Sequence, residues 1–598
     1  MRDFLKYTFA TVLGLLIFLG LGIGGLVSLV IMVASRDTGP QVKDKSVLTF
    51  DLSLNITDSK RSSSPLSEAL SSGDQPDTIT LRAVLDAINQ ATRDPRIVGL
   101  YLYGDTESGG AGFATLKEVR EALQRFRAAG KRVIAYDVNW REREYYLASV
   151  ADTIALNPIG SLEINGLSSE MMFLAGALKK YGIGIQVTRV GKYKSAVEPL
   201  LLTKPSPANR QQTEALLDDL WKEFLTETGK NRKLSVPQLQ TIADSQGILM
   251  ANEALKKRLI DKTAYLDEVV ADLKKLTDSR EKDKSFRQIS LKSYARVAQD
   301  ALEKEHNSSN KIAVVYAEGE IVNGDGDEGQ VGGDRLAKQL RQIRQDKDIK
   351  AVVLRVNSPG GSVTASEVIQ REVILTRKEK PLVISMGSVA ASGGYWISTY
   401  SDRIFAEPNT ITGSIGVFGV LPNIQKLANN NGITWDVVKT GRFADTFTIS
   451  RPKNPQEIAL IQKSVDTFYD EFLTKVSESR KLAKPKVAEI AQGRVWSGQR
   501  AREIGLVDEL GGLDSAIQDA AKRAKLGDDW ELEEYPKVRR FEERLFGKLM
   551  GDQVSGKHTQ VNPLITEFKK LQADLAPLQS MNDPLGVYAR LPFNFKID

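Results

Sequence analysis

The chain opens on an apolar run. From Tyr7 to Val33 no charged residue occurs, a stretch longer than the roughly 20 residues a helix needs to cross a bilayer and longer than the apolar core of a cleavable signal peptide. A single membrane-spanning helix is therefore expected over 7–33, where Gly20 and Gly24 have a spacing that lets two such helices approach closely. Basic residues flank the run on both sides, so charge does not orient it. The pattern then changes to short β-branched and aliphatic stretches separated by amphipathic ones. Residues 352–356, 382–386 and 403–406 predict buried strands, and 333–345 and 363–378 predict helices. This alternation predicts an α/β fold with mostly parallel pairing, whose functional residues gather at the carboxyl ends of strands.

The pattern occurs twice. D-P-R-I-V-G-L-Y-L-Y-G at 94–104 corresponds to D-K-D-I-K-A-V-V-L-R-V-N at 346–357, and Y-Y-L-A-S-V-A-D at 145–152 to Y-W-I-S-T-Y-S-D at 395–402. Asp402 minus Asp152, Gly416 minus Gly166 and Gly441 minus Gly191 each give 250. Such self-similarity predicts two homologous domains. The expected organisation is an anchor at 1–45, a first repeat at 46–276, a charged linker or solvated helix at 277–310, a second repeat at 311–525 and a tail at 526–598. The tail's stretch 541–550 is amphipathic and is expected to pack on the body.

Composition narrows the chemistry. The 598 residues include no Cys and only two His, His306 and His558, both in polar stretches. A thiolate nucleophile and Cys-ligated zinc are excluded, and a histidine base is disfavoured. A net charge of +6 with no basic block argues against a nucleic-acid partner. No Gly-Lys pair is followed by Ser or Thr, so no Walker-type nucleotide loop exists.

Two small-residue turns follow strands in the second repeat. Asn357-Ser358-Pro359-Gly360-Gly361-Ser362 can bring backbone N–H groups close to a carbonyl oxygen. Ala390-Ala391-Ser392-Gly393-Gly394 leaves the Ser392 hydroxyl approachable, although Ser392 could equally cap a helix, and Ser358, Ser362 and Ser388 have similar claims. The repeat offset adds weight to Ser392. Its counterpart in the first repeat is Glu142, whereas Lys194 of the first repeat faces Ala444 of the second. One copy holds a serine and the other a lysine, as expected if a single site divides its residues between them. A lysine titrates at about 10.4 in water, and burial among apolar neighbours such as Val190, Ala196 and Val197 can make it a neutral base.

The apolar run, the tandem repeat, Y-K-S-A-V-E-P (193–199), N-S-P-G-G (357–361), A-A-S-G-G-Y-W-I-S (390–398) and T-G-S-I-G-V (412–417) together resemble the long bacterial form of the signal peptide peptidase A (protease IV) family over roughly residues 46–525. The resemblance implies a Clp-protease/crotonase-like fold and a serine endopeptidase with Ser392 as nucleophile and Lys194 as general base. It also implies that Ser414 orients the lysine, and that Gly361 and Gly393 supply the oxyanion hole. It further implies peptide substrates in the form of released signal peptides, no cofactor or metal, and a homotetramer. The anchor would lie in the cytoplasmic membrane with the catalytic domains extracytoplasmic, or in an internal photosynthetic-type membrane. A non-proteolytic scaffold and a crotonase-type acyl-CoA enzyme remain as alternatives on the same fold.

Overall fold

The computed structural model describes residues 40–60, 78–105, 111–305, 308–537 and 587–591. The expected span at 7–33, the amphipathic stretch 541–550 and both histidines lie outside them. Among the described residues no helix is long and apolar enough to cross a membrane.

Each repeat builds its own mostly parallel sheet. In the first, the strand order is Gln288–Ser290, Ser46–Asp51, Ile97–Tyr103, Arg132–Trp140, Thr153–Glu163 and Ile248–Met250. In the second it is Val495–Ser497, Ile411–Gly413, Leu382–Ala391, Ile349–Ser358, Lys311–Glu318 and Glu531–Tyr535. Each sheet has one antiparallel edge, at Ile248–Met250 and at Val495–Ser497. The central strands are covered on both faces, which is why Ala351, Val352, Val353 and Leu354 form an unbroken buried apolar run. The strands and helices expected within 333–406 occur as Ile349–Ser358, Leu382–Ala391, Arg403–Ala406, Gly333–Gln345 and Val363–Glu379.

The duplication reaches the ends of individual helices. Pro207–Arg232 and Pro455–Arg480 are each 26 residues long with Pro at the first position. Ser206 and Asn454 cap them by accepting the N–H groups of Asn209 and Glu457. Both stop on a left-handed lysine, Lys233 (φ 56°) and Lys481 (φ 55°).

A buried ion cluster joins the repeats. The Arg355 guanidinium, fully buried, lies 2.8 Å from Asp58 and 2.6 Å from Glu118, both from the first repeat. Glu118 also accepts the Leu513 N–H at 2.6 Å. A third sheet mixes the repeats, in the order Gln330–Gly332, Glu320–Val322, Gly360–Ser362, Val587–Arg590, Phe418–Asn423 and Gly184–Arg189. Its last pairing is antiparallel from Gly184 opposite Asn423 to Arg189 opposite Phe418. That pairing carries the segment after Arg189, which holds Lys194, into the second repeat.

Two segments depart from the expected organisation. Residues 277–310 are more than a linker, because Gln288–Ser290 extends the first sheet and the following helix Leu291–Glu305 buries Leu291, Tyr294 and Ala298 in the first core. The charges of that helix fall on one side of an apolar stripe, so charge content alone reads as solvated. Residues 526–598 are more than a tail, since Glu531–Tyr535 joins the second sheet and Val587–Arg590 the third.

Candidate active site

Ser392 stands at the junction of strand Leu382–Ala391 and helix Gly393–Ser398. Its backbone has φ 56° and ψ −113°, a conformation a side chain rarely adopts and that the surrounding structure must hold in place. Its N–H donates to the Gly413 carbonyl at 2.8 Å. The following glycines are required by close approach: a Cβ on Gly394 would meet the Ser358 carbonyl oxygen at 2.6 Å. Although Ser392 occupies the cap position, its hydroxyl makes no capping bond. The rival serines are otherwise engaged. Ser362 caps its helix by accepting the Ala365 N–H at 3.2 Å, Ser358 accepts the Gly360 N–H at 3.2 Å, and the Ser388 hydroxyl lies 3.1 Å from that of Thr115.

What the Ser392 hydroxyl does meet is Lys194 of the same chain. The amine Nζ lies 2.7 Å from Ser392 Oγ, 3.0 Å from Ser414 Oγ and 3.0 Å from the Ser414 carbonyl oxygen. Once the amine is neutral, its two N–H groups can donate to the Ser414 oxygens while its lone pair accepts the Ser392 O–H. All three residues are fully buried.

Burial holds the Lys194 amine well below its usual range, and among the described residues no carboxylate opposes the shift. Lys117 shows the contrary outcome. There too burial favours the neutral form, but Glu223 at 2.9 Å and Glu227 at 3.4 Å outweigh it and raise the amine. An amine kept neutral within hydrogen-bond reach of a hydroxyl can take its proton at physiological pH.

Of the residues the sequence and the resemblance point to, Ser392, Lys194 and Ser414 meet directly, and Gly393 follows Ser392 in the chain. Gly361 is on strand Gly360–Ser362, where a turn at Pro359 replaces the expected direct turn into the helix. A Cβ on Gly360 would lie 2.6 Å from the Gly393 nitrogen, so the two glycine turns form one notch.

Sequence reasoning misses the groups that seat the lysine. Gly493 (φ 76°) lies so close that a Cβ there would stand 2.7 Å from the Lys194 backbone nitrogen and Cα, and a Cβ on Gly416 would be 3.2 Å from Lys194 Cδ. Gln212, buried, donates to the Tyr193 carbonyl and to Ser195 Oγ at 3.0 Å each, and accepts the Val495 N–H at 3.3 Å. Glu198 accepts from Ser206 and Asn209 at 2.6 and 3.1 Å, closing the loop after the lysine. Gly416, Gly493 and Val495 meet the lysine segment only through the fold, being more than 200 residues away, and nothing local marks them.

The peptidase family S49 model matches residues 125–280 and 374–527, more than half of the chain, and the Clp protease model matches 303–410. The chain belongs to peptidase family S49. This S49 protein is 36% identical to Protease 4 of Haemophilus influenzae, with 94% of each chain covered, and 36% identical to Protease 4 of Salmonella typhi, covering 87% of this chain and 84% of that one. It is 33% identical to the chloroplastic serine protease SPPA of Arabidopsis thaliana, covering 81% of this chain and 70% of that one. It is a serine protease with two tandem S49 repeats on an α/β, Clp-protease-like fold.

Proposed function

We propose that this S49 protease hydrolyses peptide bonds with a Ser392/Lys194 dyad. Neutral Lys194 takes the Ser392 proton as the oxygen attacks a peptide carbonyl, and the N–H groups of Gly361 and Gly393 stabilise the oxyanion. Lys194 then protonates the leaving amine, and water, deprotonated by the same amine, hydrolyses the acyl-enzyme. Ser414 holds the amine so that its lone pair faces Ser392. The observation that carries this reading is the 2.7 Å contact between Lys194 Nζ and a Ser392 hydroxyl that caps nothing. A crotonase-type thioester reaction or a scaffold needs no such contact.

The substrates in this reading are released signal peptides and other short apolar or unfolded polypeptides, and residues 7–33 anchor the chain in the cytoplasmic membrane with the catalytic repeats outside the cytoplasm. A homotetramer completes it, and the repeat itself supports assembly. Strand Gly184–Arg189 of the first repeat pairs with Phe418–Asn423 of the second. By the 250 offset its counterpart is 434–439, which is exposed throughout and includes Trp435 and Val438. Pairing of 434–439 with 168–173 of a second copy would repeat the internal contact head to tail.

The test is digestion of an unfolded protein by the detergent-solubilised full chain. Cleavage that disappears in Ser392→Ala and in Lys194→Ala is expected; unchanged cleavage in either refutes the dyad.

A further inference from the structure

The first repeat has a basic end, and it is the end at which the chain enters the folded body. Strands Ser46–Asp51, Ile97–Tyr103, Arg132–Trp140 and Gln288–Ser290 are parallel, so their amino ends lie together. The segments leading into them are tied to one another. The Ser46 N–H donates to the Arg96 carbonyl at 2.8 Å, the Lys131 amine to the Asp94 carbonyl at 2.6 Å, and the Arg287 guanidinium to the carbonyls of Asp44 and Asp278 at 2.8 and 3.1 Å. These segments, 40–46, 92–97, 128–132 and 274–288, carry twelve Lys or Arg against five Asp or Glu, a net of +7. Lys43, Arg93, Arg132, Lys282 and Lys284 are exposed, and among the described residues none of the five has an ion-pair partner.

The second repeat shows how much of this the shared fold demands. Basic residues in the last turn of a helix answer the partial negative charge of its free carbonyls. Both repeats have them there: Arg93, Lys274 and Lys275 in the first, Arg344, Lys522 and Arg523 in the second. Yet the corresponding segments of the second repeat, 308–311, 344–349, 378–382 and 521–531, carry eight Lys or Arg against six Asp or Glu, a net of only +2. The excess of positive charge belongs to the first copy and not to the scaffold the two have in common.

We propose, resting on the anchor reading of residues 7–33 for where the bilayer lies, that this basic end is a docking surface for acidic phospholipid headgroups. It holds the amino ends of the first sheet against the membrane, so that the strands run away from the bilayer. From Val33, the last residue of the apolar run, to Pro40 the chain reaches at most about 25 Å. The basic end is therefore the part of the body that a bilayer meets first. A connection of that length tethers the body without orienting it. Charge does orient it, since each Lys or Arg at an acidic surface strengthens the contact about fivefold and the attraction fades within about 10 Å at 0.1 M salt.

The chain has no cysteine, so a single introduced one can be labelled. The full chain carrying Ser285→Cys, on the basic end, or Ser53→Cys, past the carboxyl end of the first strand, receives a donor dye; both positions are exposed. Each is reconstituted in vesicles of phosphatidylcholine, alone or mixed with phosphatidylglycerol, that contain an acceptor dye on a lipid headgroup. Energy transfer from position 285 should be about twofold higher in the acidic vesicles and fall to the neutral-vesicle value in about 1 M salt, where charges are screened beyond about 3 Å. Position 53 should gain less. Lys43→Glu, Lys282→Glu and Lys284→Glu together should abolish the difference, and the same reversal at Lys347, Lys378 and Lys522 of the second repeat should leave it. Equal transfer from position 285 in the two kinds of vesicle, or loss of the difference in both triple variants, overturns the proposal. An alkaline wash separates it from the anchor reading. A chain that washes off neutral vesicles yet brings position 285 to acidic ones refutes the anchor and keeps the docking surface; a chain retained by both with equal transfer does the reverse.

Discussion

In the first repeat Tyr145 donates to the Leu259 carbonyl at 2.5 Å and Arg127 pairs with Asp152 at 2.8 Å; in the second, Tyr395 donates to the Leu506 carbonyl at 2.8 Å and Arg377 pairs with Asp402 at 2.8 Å. These pairs lie at matching positions, so the scaffold is duplicated down to single bonds. Three residues before each tyrosine the copies part. The second repeat has Ser392, and the first has Glu142, whose half-buried carboxylate accepts the Asn165 N–H at 2.6 Å and is pushed up by burial. Glu142 is tied to its own loop, and the lysine of its repeat has been carried across to the other cleft. Duplication thus supplied two scaffolds and one site, with the parts of that site divided between the copies.

The comparison is broken most severely by removing either contributor. Ser392→Ala should abolish proteolysis, and Lys194→Met should lower kcat by about 10²–10⁴; adding Glu142→Ser to Ser392→Ala should restore nothing, read in the same digestion assay. In the intact enzyme kcat should rise with pH and level off below the ordinary lysine pKa of about 10.4. The sign for stability follows from the same shift. Between the lowered folded pKa and the unfolded value the unfolded chain binds more protons, so the contribution of Lys194 to stability rises with pH. Lys194→Met removes that penalty, and at neutral pH its Tm should exceed that of the parent.

The joint between the copies comes next. Glu118→Ala leaves Arg355 buried with half its charge partners and should cost about 3–5 kcal/mol in denaturant unfolding. Ser414→Ala removes one acceptor from the lysine amine and should reduce kcat by about threefold to tenfold with KM little changed. Smallest of all, Arg127→Ala and Arg377→Ala should each cost about 0–1 kcal/mol, in equal measure, since both pairs are partly exposed. Unequal costs would show that the scaffolds are less alike than their geometry.

Much of this was legible in the sequence. Alternating strand and helix periods, together with the 250 offset, predicted the two α/β repeats, and Ser392 and Lys194 stood out because each lacks its counterpart in the other copy. Gly493 was illegible, since its role is to let a backbone from the other repeat pass within van der Waals contact. The helix Leu291–Glu305 was misread because a charged face conceals a narrow apolar stripe. The strand Val587–Arg590 pairs with segments far away in sequence, and four residues carry too little pattern to announce a partner.

Composition and periodicity by themselves determined the fold class, the duplication, the exclusion of cysteine chemistry and the case against a histidine base, because these depend on residue types and spacings that survive any arrangement in space. Only the tertiary structure decided that Lys194 meets Ser392 within one chain, that among the described residues burial alone shifts the amine, and that Val587–Arg590 joins the third sheet. Those are matters of distance and burial between segments hundreds of residues apart. A pKa is lowered by what is absent around a group as much as by the group itself, and that absence appears only when the chain is folded.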